Sequence, residues 1–253
     1  MSLRKPGGDS VKTIAFWNRK GGVGKTTTAG NVAHELSQHG RVLLIDCDPQ
    51  ANMTSWLAPG AQHELADVLS GSVSLADAVT PARATLDVLG SFAIGGELRD
   101  WIETNIRKQP FAFVDLKSKA EALGYTFVVM DLAPGDGPIE LYAMSACDHV
   151  VLVASPETFS YEGLESAEHT LQEVRTNLRA QFTIPALVAN RINRSYAAHQ
   201  AYSEAIEKVP YEVFQIGQAT GIHDCLGQHK TIFEHEPGNR YTTEYVRLAG
   251  VLL

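Results

Sequence analysis

Three features of the 253-residue sequence predict one doubly wound α/β domain, a mainly parallel sheet flanked by helices. Short continuous apolar runs, Thr13–Trp17, Arg41–Ile45, Phe127–Met130 and His149–Ala154, alternate with stretches of helical periodicity, the pattern of strands buried on both faces by crossover helices. Several runs end in carboxylates or amides, at Asp46, Asp131 and Asn190, where ligands bind in open α/β sheets. A glycine-rich stretch, Asn18–Thr28 (NRKGGVGKTTT), joins the first run to the first helical pattern.

That stretch has the strand–loop–helix setting of a phosphate-binding loop. Gly21, Gly22, Val23 and Gly24 can turn backbone N–H groups toward an anion, and the following helix adds its positive end. Lys25 would reach the β- and γ-phosphates of ATP, and the Thr26 hydroxyl would ligate Mg²⁺. A glycine-rich turn that binds nothing is the bland alternative.

The plain pattern G-x-x-x-x-G-K-[ST] requires glycine at position 19, where this chain has Arg19 followed by a second lysine, Lys20. KGGVGKTT resembles the deviant Walker A motif of the ParA/MinD ATPases, a resemblance that implies Lys20 reaches across an ATP-bound dimer to the partner's nucleotide. Asp46-Cys47-Asp48-Pro49-Gln50-Ala51-Asn52 is similar to the family's D-x-D-P-Q-x-N. The resemblance gives Asp48 the attacking water and Asp46 a place in the Mg²⁺ shell; two turn-forming caps are the alternative. It gives Asp131 the Walker B role of holding Mg²⁺, although D-L-A-P stands where the family has D-x-P-P; a purely structural aspartate is the alternative. It assigns Thr27 to the α-phosphate and Asn190 to the adenine edge, which needs a group that both donates and accepts; an amide that only caps its loop is the alternative for Asn190. Arg191 and Arg194 are nearby candidates for phosphate or DNA contacts. His229–Glu234 and Pro237 resemble the family's closing motif, but Gln215, Gln218 and His223 occupy the region where its DNA-binding members carry arginines.

In chain order, residues 1–11 read as a disordered lead-in and 12–253 as one domain. Helices are expected over Thr26–His39, His63–Leu69, Ser74–Val79, Glu97–Ile106, Val114–Leu123, Phe159–Arg179, Tyr196–Lys208 and Tyr241–Leu253. Further strands are expected over Thr85–Gly90, Phe182–Ala189 and Glu212–Ile216.

A composition of 44% hydrophobic and 20% charged residues supports a full core, and a net charge of −8 argues against a globally basic nucleic-acid binder. Three widely spaced cysteines suggest neither a disulfide framework nor a zinc ribbon. The sequence lacks a membrane span or signal core, so a cytoplasmic protein is expected. His223, Asp224, Cys225, His229 and His235 match no metal-ligand spacing, and the final helix has too few basic residues for membrane targeting.

The resemblance implies an ATP- and Mg²⁺-dependent switch: a homodimer when ATP-bound, a slow hydrolase without a stimulating partner, nucleoid-associated if it binds nonspecific DNA. A ParB-like or other adaptor would connect it to plasmid or chromosome partition. The alternatives are a ParA-like or MinD-like positioning protein for a non-DNA cargo, a biosynthetic ligase of the same fold, and a non-hydrolysing binding module. An iron–sulfur reductase would need cysteines within Ala93–Ile102 or Asp131–Glu140, and neither segment contains one.

Overall fold

The computed structural model describes residues 10–156, 161–193, 202, 206, 209–218 and 220–253. The expected lead-in, the expected helix over Tyr196–Lys208 and Arg194 lie wholly or almost wholly outside these residues. Strands β1 (Lys12–Trp17), β2 (Val42–Asp46), β3 (Thr80–Arg83), β4 (Leu86–Leu89), β5 (Phe127–Asp131), β6 (His149–Ala154), β7 (Ala186–Ile192) and β8 (Glu212–Gly217) form one sheet in the order β3-β4-β2-β5-β1-β6-β7-β8. Every neighbouring pair is parallel except β3–β4.

The helices are α1 (Lys25–Leu36), α2 (Asn52–Leu57), α3 (Leu65–Ser70), α4 (Leu75–Ala78), α5 (Leu98–Asn105), α6 (Ala112–Ala122), α7 (Pro138–Ser145), α8 (Tyr161–Asn177), α9 (Thr220–Gly227), α10 (Ile232–His235) and α11 (Thr242–Leu252). They cover both faces. One core layer joins Ile14, Phe16 and Leu44 of the sheet to Leu36, Trp56 and Tyr245, and the other joins Trp17, Leu43 and Met130 to Trp101, Phe113 and Leu171. Burial on both sides explains why β2 and β5 read as unbroken apolar runs: all five residues of each are buried.

Five elements were not apparent in the sequence: β3, α2, α7 and the short helices α9 and α10. β3 contains Pro81, which is tolerated because the strand lies at the sheet edge. α2 is six residues long, too short to show a period. α7 opens on Pro138 in its first turn, directly after Gly137. The strand expected over Phe182–Ala189 runs instead from Ala186 to Ile192, because Pro185 has no N–H to continue the ladder and only Thr183 bridges to His149 before it. Among the described residues no helix is long and apolar enough to cross a membrane, and the three cysteines are buried and free.

Candidate functional site

Chain order places the site. From the central β1 the chain crosses to β2 on one side and later to β6, β7 and β8 on the other, so a crevice opens at the carboxyl ends of the strands. There a cavity of about 470 Å³ is lined by Gly21, Gly22, Gly24, Lys25, Thr26 and Thr27. Asp48 and Trp56 from the β2 side, Pro134 after β5 and Arg191 in β7 close its other walls. Of the loop residues expected to bind nucleotide, only Val23 is missing from this lining; it is fully buried.

α1 starts directly after Gly24, whose φ of 93° favours glycine. A Cβ there would also come within 1.9 Å of Asn190 Nδ2. Lys25 is 6% exposed, and its Nζ donates to the carbonyls of Lys20 at 3.2 Å and Asn18 at 3.4 Å. Burial lowers its pKa, while Asp131, Asp48 and Glu140 favour its charged form.

Asp46 and Asp131 are register partners at the ends of β2 and β5. Asp46 accepts the Thr54 N–H at 2.8 Å, the Thr54 hydroxyl at 2.7 Å and the Asp48 N–H at 3.2 Å. Neither buried oxygen of Asp131 has a hydrogen-bond partner among the described residues. Burial and then the Asp46 charge raise the Asp131 pKa well above the carboxylate range, with Thr26 and Lys25 acting in the opposite sense. Burial also raises Asp46, to about 6, against its hydrogen bonds from Thr54. An unsatisfied buried carboxylate beside the Thr26 hydroxyl is a hard-oxygen pair of the kind Mg²⁺ takes. Asp46 uses three of its acceptor sites to tie the end of β2 to α2, a bracing role beside the one expected of it at Mg²⁺.

Asp48 lines the cavity, and its Oδ1 accepts the Gln50 N–H at 2.9 Å. The loop after β5 is pinned against the glycine loop: Trp17 Nε1 donates to the Gly135 carbonyl at 2.8 Å, and Arg19 pairs with Asp136 at 2.7 Å. Lys20 is exposed and borders a separate cavity of about 280 Å³, while its N–H donates to Asn18 Oδ1 at 2.9 Å.

Asn190 takes the loop-capping place that stood as the alternative to base reading. Its Nδ2 donates to the Val23 carbonyl and its Oδ1 accepts the Arg191 N–H, both at 2.9 Å, so the amide braces the loop and does not line the cavity. Sequence reasoning passed over Glu140, a buried acid in the first turn of α7, whose pKa burial and Asp48 push up to about 7. It also passed over Trp56, whose ring packs where a Cβ on Gly30 would come within 2.2 Å. The Gly-Pro helix start was a readable signal for Glu140; nothing local marked Trp56.

A family model described as an AAA domain matches residues 11–184. The chain is 31% identical to the chromosome-partitioning ATPase Soj of Thermus thermophilus, over 94% of each chain. It is 30% identical to the sporulation initiation inhibitor protein Soj of Bacillus subtilis, over 94% of this chain and 96% of that one. The structure of a Cyanothece McdA variant in complex with ATP superimposes with a TM-score of 0.82 at 22% identity, over 97% of each chain, which shows a common fold. With the deviant loop, the strand-end aspartates and these relatives together, the chain belongs to the ParA/MinD family of ATPases.

Proposed function

We propose that the protein is an ATP-driven positioning switch that dimerises on ATP and Mg²⁺ and acts in plasmid or chromosome partition. The observation that carries this reading is Asp131, a buried carboxylate that no backbone donor satisfies and whose ionised form Thr26 and Lys25 favour, at the foot of the glycine loop. The loop amides and Lys25 hold the β- and γ-phosphates, and Thr27 holds the α-phosphate. Thr26 and Asp131 hold Mg²⁺, which would neutralise charge developing on the phosphates. Asp48 orients the attacking water from the cavity wall.

Lys20 lies outside its own nucleotide cavity and exposed, which suits a residue that completes the partner's site. The chemistry is positioning and charge neutralisation, so slow turnover awaiting an adaptor protein of the ParB kind suits such a timer. Light scattering with ATP and Mg²⁺ tests this: the unsubstituted protein dimerises, and Lys20→Ala stays monomeric with reduced hydrolysis. Unchanged dimerisation of Lys20→Ala would remove the cross-dimer role.

One observation favours a second reading, a non-DNA cargo. Gln215 and Gln218 line a polar cavity with Arg240 and Glu244 where a basic stripe would serve DNA, and the net charge is −8. ATP-dependent, salt-sensitive retention on nonspecific DNA supports partition and a nucleoid location; no retention at low salt supports the second reading.

A further inference from the structure

The β7–β8 ladder loses register between Ala189 and Ile192. In that interruption Arg191 adopts φ 58°, a left-handed backbone costing a non-glycine residue on the order of 1 kcal/mol. Tertiary contacts hold it there. Asn190 accepts the Arg191 N–H through Oδ1 and donates through Nδ2 to the Val23 carbonyl, so the strained residue and the glycine loop share one amide as a brace. A bulge beside a site re-aims a side chain, and this one brings Arg191 onto the wall of the nucleotide cavity while Asn190 stays behind it.

Arg191 is exposed and forms no ion pair among the described residues. The phosphate end of the cavity is already supplied with loop amides, Lys25 and Thr26. What remains for Arg191 is the nucleoside, and the cavity lining also includes the apolar groups of Trp56 and Leu226. A planar, weakly hydrated guanidinium suits the face of a purine.

We propose that Arg191 is a nucleotide-binding residue whose guanidinium stacks on the purine base, an assignment that rests on the ATP reading above and moves base recognition from Asn190 to its neighbour. The left-handed backbone chooses the test variant: Arg191→Gly removes the side chain yet adopts φ 58° without strain, so the loop brace survives. Binding of ADP, ATP and inorganic tripolyphosphate is measured by calorimetry on the unsubstituted protein, Arg191→Gly and Arg191→Lys.

Stacking predicts that Arg191→Gly weakens ADP and ATP by the same factor, about tenfold, and leaves tripolyphosphate unchanged. Arg191→Lys restores little, and the melting temperature without nucleotide does not fall. Unchanged ADP and ATP affinity overturns the assignment. So does a loss shared by tripolyphosphate, larger for ATP than ADP and restored by lysine, because that pattern belongs to a phosphate contact. If the unsubstituted protein binds neither nucleotide, the ATP reading itself fails and takes this assignment with it.

Discussion

The ends of β2 and β5 carry the same residue type, in register, on adjacent strands, yet the two aspartates do different work. Asp46 accepts from three donors, two from Thr54 and one from the Asp48 backbone. Asp131 has none among the described residues. A buried carboxylate is costly unless hydrogen bonds or a cation satisfy it. The first has its compensation inside the fold, so it is a structural brace. The second lacks it, which is why the proposed function places the cation there. Position at a strand end identifies both as candidates; only the donor count separates them.

Exchanging either residue breaks this comparison. Asp131→Ala removes the bare anion: Mg²⁺-dependent ATP turnover is expected to fall at least about a hundredfold, while the nucleotide-free melting temperature holds or rises. A clear fall in melting temperature would mean that Asp131 has a structural partner after all. Asp46→Ala reverses the pattern. It orphans the Thr54 N–H and hydroxyl and frees the start of α2, so denaturant titration should show a loss of about 2–3 kcal/mol. Loss of turnover without loss of stability would return Asp46 to the metal shell.

Legibility in the sequence followed the range of the interactions. The glycine loop, α1 and the apolar runs of β2 and β5 are set by neighbours in sequence, and their periodicity and glycines could be read directly. The division between Asp46 and Asp131 depends on Thr54, eight residues on, in a helix too short to show a period. Asn190 could be placed at a strand end from sequence, but its amide is claimed by Val23, 167 residues away, and by a bulge visible only once β8 pairs. Burial of Glu140 depends likewise on how residues 132–137 fold back over β1.

The cluster of acids also predicts a pH dependence. Asp46 moves up to about 6 and Glu140 to about 7 from ordinary values near 4, and Asp131 moves in the same direction. With pKa values raised on folding, the native state holds protons that the unfolded chain has already lost, so these groups' contribution to stability falls as pH rises through that window. Without nucleotide, melting temperatures should be higher at pH 5 than at pH 7.5 as far as these groups contribute, and Glu140→Gln should flatten the upper part of the slope. Mg²⁺ with nucleotide should also flatten it, because the cation favours the ionised carboxylates. A slope unchanged by both would show that these acids do not couple to the metal site.

The smallest effect is expected at the most conspicuous sequence departure. Arg19 occupies the position where a plain phosphate loop has glycine, and it pairs with Asp136 at 2.7 Å while also donating to the Ser166 hydroxyl. Both partners of the pair are more than two-fifths exposed, so water screens the attraction, and such pairs are worth up to about 1 kcal/mol. Arg19→Gln should therefore move the melting temperature by no more than about 4 °C. Its interest lies in the loop it touches. Trp17 holds Gly135 independently, so the loop beside Asp131 keeps its anchor when Arg19 is lost. ATP turnover should then stay within about threefold of the unsubstituted protein. A much larger change would make Arg19 a positioning residue for the Asp131 loop and shift weight from Lys20 to its neighbour.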